Sequence, residues 1–401
     1  MGANGALREG PQAAPGWADA AARRGVCAPF LRPFLCLVAR NSVGPFQAVR
    51  TTSLDWCMEQ LHASESAVGP VAKDARQDGS SFRPRHIPVL LQETLDALVP
   101  ALGGEGARYL DGTLGLGGHA AAVLTAAPGA VLCGLDRDEQ ALELARERLT
   151  PFGGRSHLFH LCYSRFEEAL DELGWERIDA ALIDIGVSSL QLDEAERGFS
   201  FNSDGPLDMR MDQHSGRDSA WHWVNREHFA ALKECIATLG EEPQAGRIAR
   251  AIVDARQKGP IDTTLQLAHI VEMAYPPAWR AKARRHPATR TFQALRMAVN
   301  DELGELRRFL DAVLGRLRIG GRLAVISFHS LEDRMVKQAM RHWAEGCRCP
   351  RHVPRCVCGH VPEVRLLHKK PLTACESEIA ANPRSSCAKL RAVEKIAEAV
   401  S

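Results

Sequence analysis

The sequence predicts an α/β protein, a Rossmann-like doubly wound parallel sheet with an inserted helical domain. Three observations carry this. Between 83 and 193, short apolar runs that end on an acid alternate with helical stretches. From 194 to 286 no convincing strand pattern appears, only helical stretches such as Phe229 to Leu239 and Gln244 to Arg256. Strand character then resumes at Arg322 to Phe328, opened by the turn Gly320-Gly321.

Taken in order, His86 to Leu91 leads into a short helix, Gln92 to Leu98, stopped by Pro100. Tyr109-Leu110 is a brief strand that ends at Asp111 and runs into a turn with four glycines between Gly112 and Gly118. Ala120 to Ala126 reads as helix, Ala130 to Leu135 as a second strand and Glu139 to Leu149 as a strong helix. Ile178 to Ile185 is a buried strand, because its apolar run is nearly continuous. The resulting division is 1–54 targeting segment, 55–82 linker, 83–193 first part of the core, 194–286 helical insertion, 287–396 second part of the core and 397–401 tail.

Composition narrows the class further. Lys plus Arg total 50 against 49 Asp plus Glu, a formal charge of +1, with 45% apolar and 25% charged residues. That mixture excludes a disordered chain, a collagen and a bulk polycation. A nucleic-acid site must therefore be a local basic patch. Twelve cysteines among 401 residues are too sparse for a disulfide scaffold and point to a reducing compartment. No stretch is long and apolar enough to cross a bilayer, since Cys27 to Ala39 is broken by Pro29, Arg32 and Pro33. The first 54 residues hold six arginines, no lysine and only Glu9 and Asp19 as acids, the bias of a mitochondrial presequence. The expected address is the mitochondrial matrix.

A strand that ends on an acid, then a glycine turn, then a helix brings backbone N–H groups and a helix N-terminus to a ligand. Gly115-x-Gly117-x-x-Ala120 fits the dinucleotide fingerprint as well. Asp136 ends the next strand, 25 residues after Asp111 (136 − 111), where an acid holds two ribose hydroxyls. Nicotinamide and S-adenosyl-L-methionine enzymes both use that device, so these residues leave the cofactor open. Polar clusters at Asp184 to Asp193 and at Ser327 to Asp333 fall at the ends of later strands, where open sheets bind ligands.

Longer blocks are more specific. They are Asp111-Gly-Thr-Leu-Gly-Leu-Gly-Gly-His119, Leu135-Asp-Arg-Asp138, Asp184-Ile-Gly-Val-Ser-Ser189 and Gln191 through Phe201. Asp204-Gly-Pro-Leu-Asp-Met-Arg-Met-Asp212, His286 through Arg296 and Ile326 through Arg334 complete the set. In these blocks the chain closely resembles the bacterial small-subunit ribosomal RNA cytosine-N4 methyltransferase family, from about Arg83 to Ile396. With its N-terminal extension it is most similar to the mitochondrial branch, which acts on 12S ribosomal RNA.

The resemblance implies an S-adenosyl-L-methionine-dependent N4-methylation of a cytidine. It places Gly117, Gly118 and His119 at the methionine and ribose of the cofactor, Asp136 at the ribose hydroxyls and Tyr163, where the family usually has Phe, at the adenine. Asp184 and Gln191 complete the cofactor site. The exocyclic amine of cytosine is a poor nucleophile, so alignment and a hydrogen-bond acceptor are the needs of catalysis. Asp184 and the loop holding Ser327 and His329 are the candidate acceptors. The implied partner is small-subunit ribosomal RNA or an assembling small subunit, with auxiliary assembly factors as a further class and no membrane.

For the RNA, Trp279 to Arg296 holds six basic residues and no acid. Arg285, Arg290 and Arg296 would contact phosphates and Phe292 would stack a base. Arg384 and Lys389 belong to Asn382-Pro-Arg-Ser-Ser-Cys-Ala-Lys-Leu-Arg391, where the family usually has Arg and Ser at Ser386 and Cys387. Asp204 to Asp212 lacks the spacing of a calcium loop and is expected to be fixed by internal ion pairs. Cys347, Cys349, Cys356 and Cys358 lie within 12 residues, but paired one residue apart instead of two to four, so no metal is assigned and structural zinc stays an alternative. Two other functions are weighed beside the methyltransferase. A nicotinamide dehydrogenase leaves the longer blocks unexplained, and an assembly factor that binds without methylating does not need the intact Asp136, Asp184 and Ser327 to Ser330 set.

Overall fold

Alternation along each strand builds the central layer. The computed structural model describes residues 88–398 except 284, 348, 350–354, 356 and 359. The targeting segment, the linker, Arg284 and Cys356 lie outside them. The strands are β1 (Arg108–Asp111), β2 (Val131–Asp136), β3 (Ser156–His160), β4 (Ile178–Ile185), β5 (Leu317–Ser327), β6 (Val364–Leu366) and β7 (Lys389–Lys395), in the order β3-β2-β1-β4-β5-β7-β6. Pairs from β3 through β5 are parallel, and β7 runs antiparallel to both its neighbours.

Successive side chains go to opposite faces of the sheet. Tyr109, Ala180, Leu182, Ala324 and Ile326 enter one core. Their chain neighbours Leu110, Ala181, Ile183, Leu323 and Val325 enter the other. On the first core pack α1 (Leu91–Leu98), α2 (Gly118–Ala126) and α3 (Glu139–Leu149). The second holds α4 (Phe166–Glu172). α3 is well specified: Asp138 caps it by accepting from the Gln140 N–H at 3.2 Å, Glu139 opens it, and Arg146 and Arg148 close it against the helix dipole.

After α5 (Ser189–Asp193) the helical insertion contains α6 (Ala220–Arg226), α7 (Phe229–Thr238), α8 (Ala245–Arg256), α9 (Thr264–Ala274) and α10 (Pro277–Arg280). Its core also takes Ala288 and, from α11 (Thr289–Asn300), Phe292, Leu295 and Val299. α11 thus packs with the insertion although it lies beyond the expected boundary at 286. α11 presents an apolar stripe, and only the insertion offers it a matching face. The sheet resumes through α12 (Glu302–Arg316), which leads into β5, followed by α13 (Ser330–Trp343) and α14 (Glu376–Ala381).

Three strands are absent from the sequence reading. β3 is half-buried and carries two histidines, and β7 (KLRAVEK) alternates with charges. β7 is nevertheless an interior strand, one in from the edge, and Lys395 at its end is buried. The Lys395 ammonium donates to the Leu314 and Leu317 carbonyls at 2.8 and 2.9 Å and to Glu398 at 2.7 Å. β6 is three residues long and has no pattern to read.

Candidate active site

The sheet order reverses direction between β1 and β4, and a cavity opens there at the carboxyl ends of the strands. Asp111 ends β1, buried, and its carboxylate accepts from the Tyr109 hydroxyl and the Thr113 N–H, both at 3.2 Å. Burial pushes its pKa from 3.8 up to about 7. Asp136 ends β2 and accepts from the Gly115 N–H at 2.7 Å and the Asp138 N–H at 2.9 Å. Burial raises its pKa also, against the lowering by those two N–H groups.

Gly117 has φ +72° and caps α2, a backbone that side chains rarely adopt. It shapes the turn and is not among the residues that line the cavity. Gly118 does line it, and a Cβ there would stand 2.6 Å from Pro88 Cγ. His119, buried on α2, holds the Val89 carbonyl at 2.9 Å through Nε2, and its Nδ1 is 3.9 Å from Asp184.

Asp184 is on β4, with its N–H donated to the Thr113 hydroxyl at 2.6 Å. Its Oδ1 is buried without a hydrogen-bond partner. Burial first, then Asp111 and Glu332, push its pKa from 3.8 to about 8. Tyr163 lines the cavity, packs edge-on to Phe309 at 5.7 Å and donates its hydroxyl to the Glu302 carbonyl at 3.5 Å. Gln191 lines it too, but its amide is largely spent on the protein. Its oxygen accepts from the Ser188 N–H at 3.1 Å and its NH2 donates to Asp138 at 2.9 Å.

Ser327 and His329 are not brought to the cavity. Phe328, the first residue after β5, lines the cavity instead. The Ser327 hydroxyl donates to the Lys389 carbonyl at 3.5 Å. His329 is buried as the cap of α13, with Nδ1 accepting from the Glu332 N–H at 3.4 Å and Nε2 2.9 Å from the Glu332 carboxylate.

The basic stretch divides between surface and interior. Arg296 donates two bonds of 2.7 Å to Glu302, which lines the cavity, so it is an internal ion pair and not a phosphate contact. Phe292 is buried, edge-on to Phe201 at 4.8 Å, and cannot stack a base. Phe292 enters the core of the insertion, and Arg296 is drawn to Glu302. Arg285 and Arg290 are half-buried, and Arg290 donates to the Glu241 carbonyl at 3.2 Å. Trp279 is exposed. Arg384 lines the cavity rim and donates to Asp193 at 3.0 Å. Lys389 lies on β7, 3.6 Å from Asp333, away from the cavity. The loop from Asp204 to Asp212 is fixed as expected, by Arg210 on Asp208 at 2.6 and 3.0 Å. Cys347, Cys349 and Cys358 stand together outside the cavity, and Cys356 lies outside the described residues.

Sequence reasoning passed over Thr113, Glu302, Phe328 and Arg137 as cavity residues. Arg137 adjoins Asp136, which was the one signal available for it.

The comparison with known proteins decides the family, because residues 83–396 match the MraW methylase family as one continuous block. The chain belongs to the MraW methylase family. Ribosomal RNA small subunit methyltransferase H of Desulfovibrio desulfuricans is 77% identical over 314 residues, which cover 78% of this chain and 95% of that protein. Its namesake from Nitratidesulfovibrio vulgaris strain DP4 is 71% identical over 312 residues, covering 78% and 95%. A putative methyltransferase from Streptococcus mutans, solved in complex with SAH, is 13% identical, covers 78% of this chain and 100% of that one, and has a TM-score of 0.35. So slight a likeness bears no argument, and the fold rests on the strand order described above.

This MraW methylase is a methyltransferase whose cofactor is S-adenosyl-L-methionine. The cavity suits that group. The unpartnered Asp184 oxygen, backed by Asp111, favours a cationic sulfonium or a donor, and Asp136 sits at the end of β2, where ribose hydroxyls are held.

Proposed function

We propose that this methylase transfers a methyl group to the N4 amine of an unpaired cytidine in small-subunit ribosomal RNA. The observation that carries this reading is the Asp184 carboxyl, with one buried oxygen free of partners at the cavity. The names of the two relatives support the RNA class. S-adenosyl-L-methionine, when bound, supplies the methyl on an electrophilic sulfonium carbon.

Everything else is work for the chain's own groups. Asp136 holds ribose hydroxyls, Tyr163 backs the adenine, and Gly118 and His119 line the methionine side. Asp184 accepts a hydrogen bond from the cytosine amine, which turns the nitrogen lone pair toward the methyl carbon. Phe328 offers the aromatic face on which a flipped base stacks. Arg384 at the rim, half-buried Arg280 and exposed Lys282 meet phosphates. Auxiliary assembly factors would present the RNA where the substrate is an assembling subunit.

Two subunits are compatible with this chemistry. The Arg-rich first 54 residues favour the mitochondrial matrix and 12S ribosomal RNA. Identities of 71–77% with bacterial proteins favour a bacterial small subunit.

Nucleoside mass spectrometry tests both levels. Unmodified RNA or immature subunits of each kind are incubated with the protein and S-adenosyl-L-methionine, with Asp184→Ala alongside. N4-methylcytidine made only by the intact protein supports the reading, and the RNA that gains it names the subunit. Cofactor binding without any methylated nucleoside would sink it.

A further inference from the structure

Twenty residues connect α13 to β6. Among the described residues of this connection Val357 is 80% exposed and Val361 43%. Its base is closed by the Glu363 N–H donating to the Trp343 carbonyl at 2.8 Å. Small units of this kind need a cross-link.

Three thiols stand where one would be. Cys347, Cys349 and Cys358 bring their sulfurs within 4.8 Å of one another. The Cys347 and Cys358 sulfurs are 3.9 Å apart. Two thiolates on one tetrahedral zinc, each bound at about 2.3 Å, stand about 3.8 Å apart, whereas a disulfide needs about 2.05 Å. The Val357 N–H points at the Cys349 sulfur at 3.3 Å, the kind of outer contact that orients a metal-bound thiolate.

We propose that this loop is a structural zinc site, with Cys347, Cys349 and Cys358 as three of its four ligands. Each thiol gives its proton to solvent as its Zn–S bond forms, and nothing is oxidised. Three ligand atoms stand together among the described residues; Cys356, which lies outside them, and His360, whose ring Nε2 is buried without a hydrogen-bond partner but is not grouped with the three sulfurs, are the two candidates for the fourth place. The ion is remote from the chemistry. The 14 residues of α13 separate the cysteine loop from the cavity end of β5, roughly 21 Å at 1.5 Å per residue.

The test is elemental analysis of the full chain, purified without chelator and under a thiol-free reductant. One zinc per chain is expected, released in step with mercurial titration of thiols. Cys347→Ser and Cys358→Ser should each abolish it, while Cys375→Ser, on a separate exposed cysteine, should not. Cys356→Ser and His360→Ala identify the fourth ligand by which one loses the metal. Should the serine variants fail to fold, cobalt replacement in the unaltered chain still reads the site, through thiolate-to-cobalt charge-transfer absorption. Chelation is expected to open the loop to protease and leave turnover at saturating cofactor unchanged. Absence of stoichiometric zinc after zinc supplementation, full zinc in both serine variants, or a Cys347–Cys358 disulfide in thiol-blocked protein would each overturn the proposal.

Discussion

Arg296 meets Glu302 through two hydrogen bonds of 2.7 Å, and the carboxylate so held forms part of the cavity wall. The pair joins the last helix of the insertion to the first helix of the returning core. Glu302 also stands with His329 and Glu332 in one buried cluster.

Removing the arginine should therefore act on the fold and the cofactor site, not on RNA affinity as such. Breaking a buried pair costs about 3–5 kcal/mol because the carboxylate is left uncompensated. Arg296→Ala is expected to lower the denaturant midpoint strongly. A variant with unchanged stability and a salt dependence of RNA binding reduced by one phosphate contact would show the opposite arrangement.

Arg384 makes the contrasting case. Its partner Asp193 is largely exposed, and such surface pairs are worth about 0–1 kcal/mol. Arg384→Ala should leave thermal stability nearly unchanged and weaken RNA binding most at low salt. Titration across several salt concentrations checks this, and equal losses at every salt would count against a phosphate contact.

Phe292 is predicted to behave as a core residue. Phe292→Ala should cost about 3–5 kcal/mol by emptying the contact with Phe201. If denaturant unfolding is unchanged and only RNA binding suffers, the side chain stacks a base after all.

Asp184 sets a pH dependence whose sign follows from its raised pKa. Between about 4 and about 8 the folded chain keeps a proton that the unfolded chain has released. Stability contributed by the neutral carboxyl is then full below about pH 4 and declines as pH rises through 8. Asp111, raised to about 7, adds to the same slope. Asp184→Asn should flatten the stability profile of the cofactor-free protein over that range. The acceptor role needs the ionised form, so methyl transfer should rise with pH, and the variant should lose turnover far more than cofactor affinity. Unchanged turnover in Asp184→Asn would remove the residue from catalysis.

By itself the sequence determined the family, the alternation that builds the sheet, the glycine turn before α2, and Asp136 and Asp184 at strand ends. These are local properties, written in neighbouring residues and in the period of apolar positions. Only the tertiary structure decided which polar residues reach the cavity. Ser327, Phe328 and His329 are consecutive, yet the strand end admits Phe328 alone. Arg290 and Arg296 look alike on one basic helix, yet Arg296 turns inward because Glu302 waits there after the chain turns at Asp301. The pKa of Asp184 likewise depends on which segments fold against each other. Burial and pairing across long stretches of chain decide such matters, and periodicity does not record them.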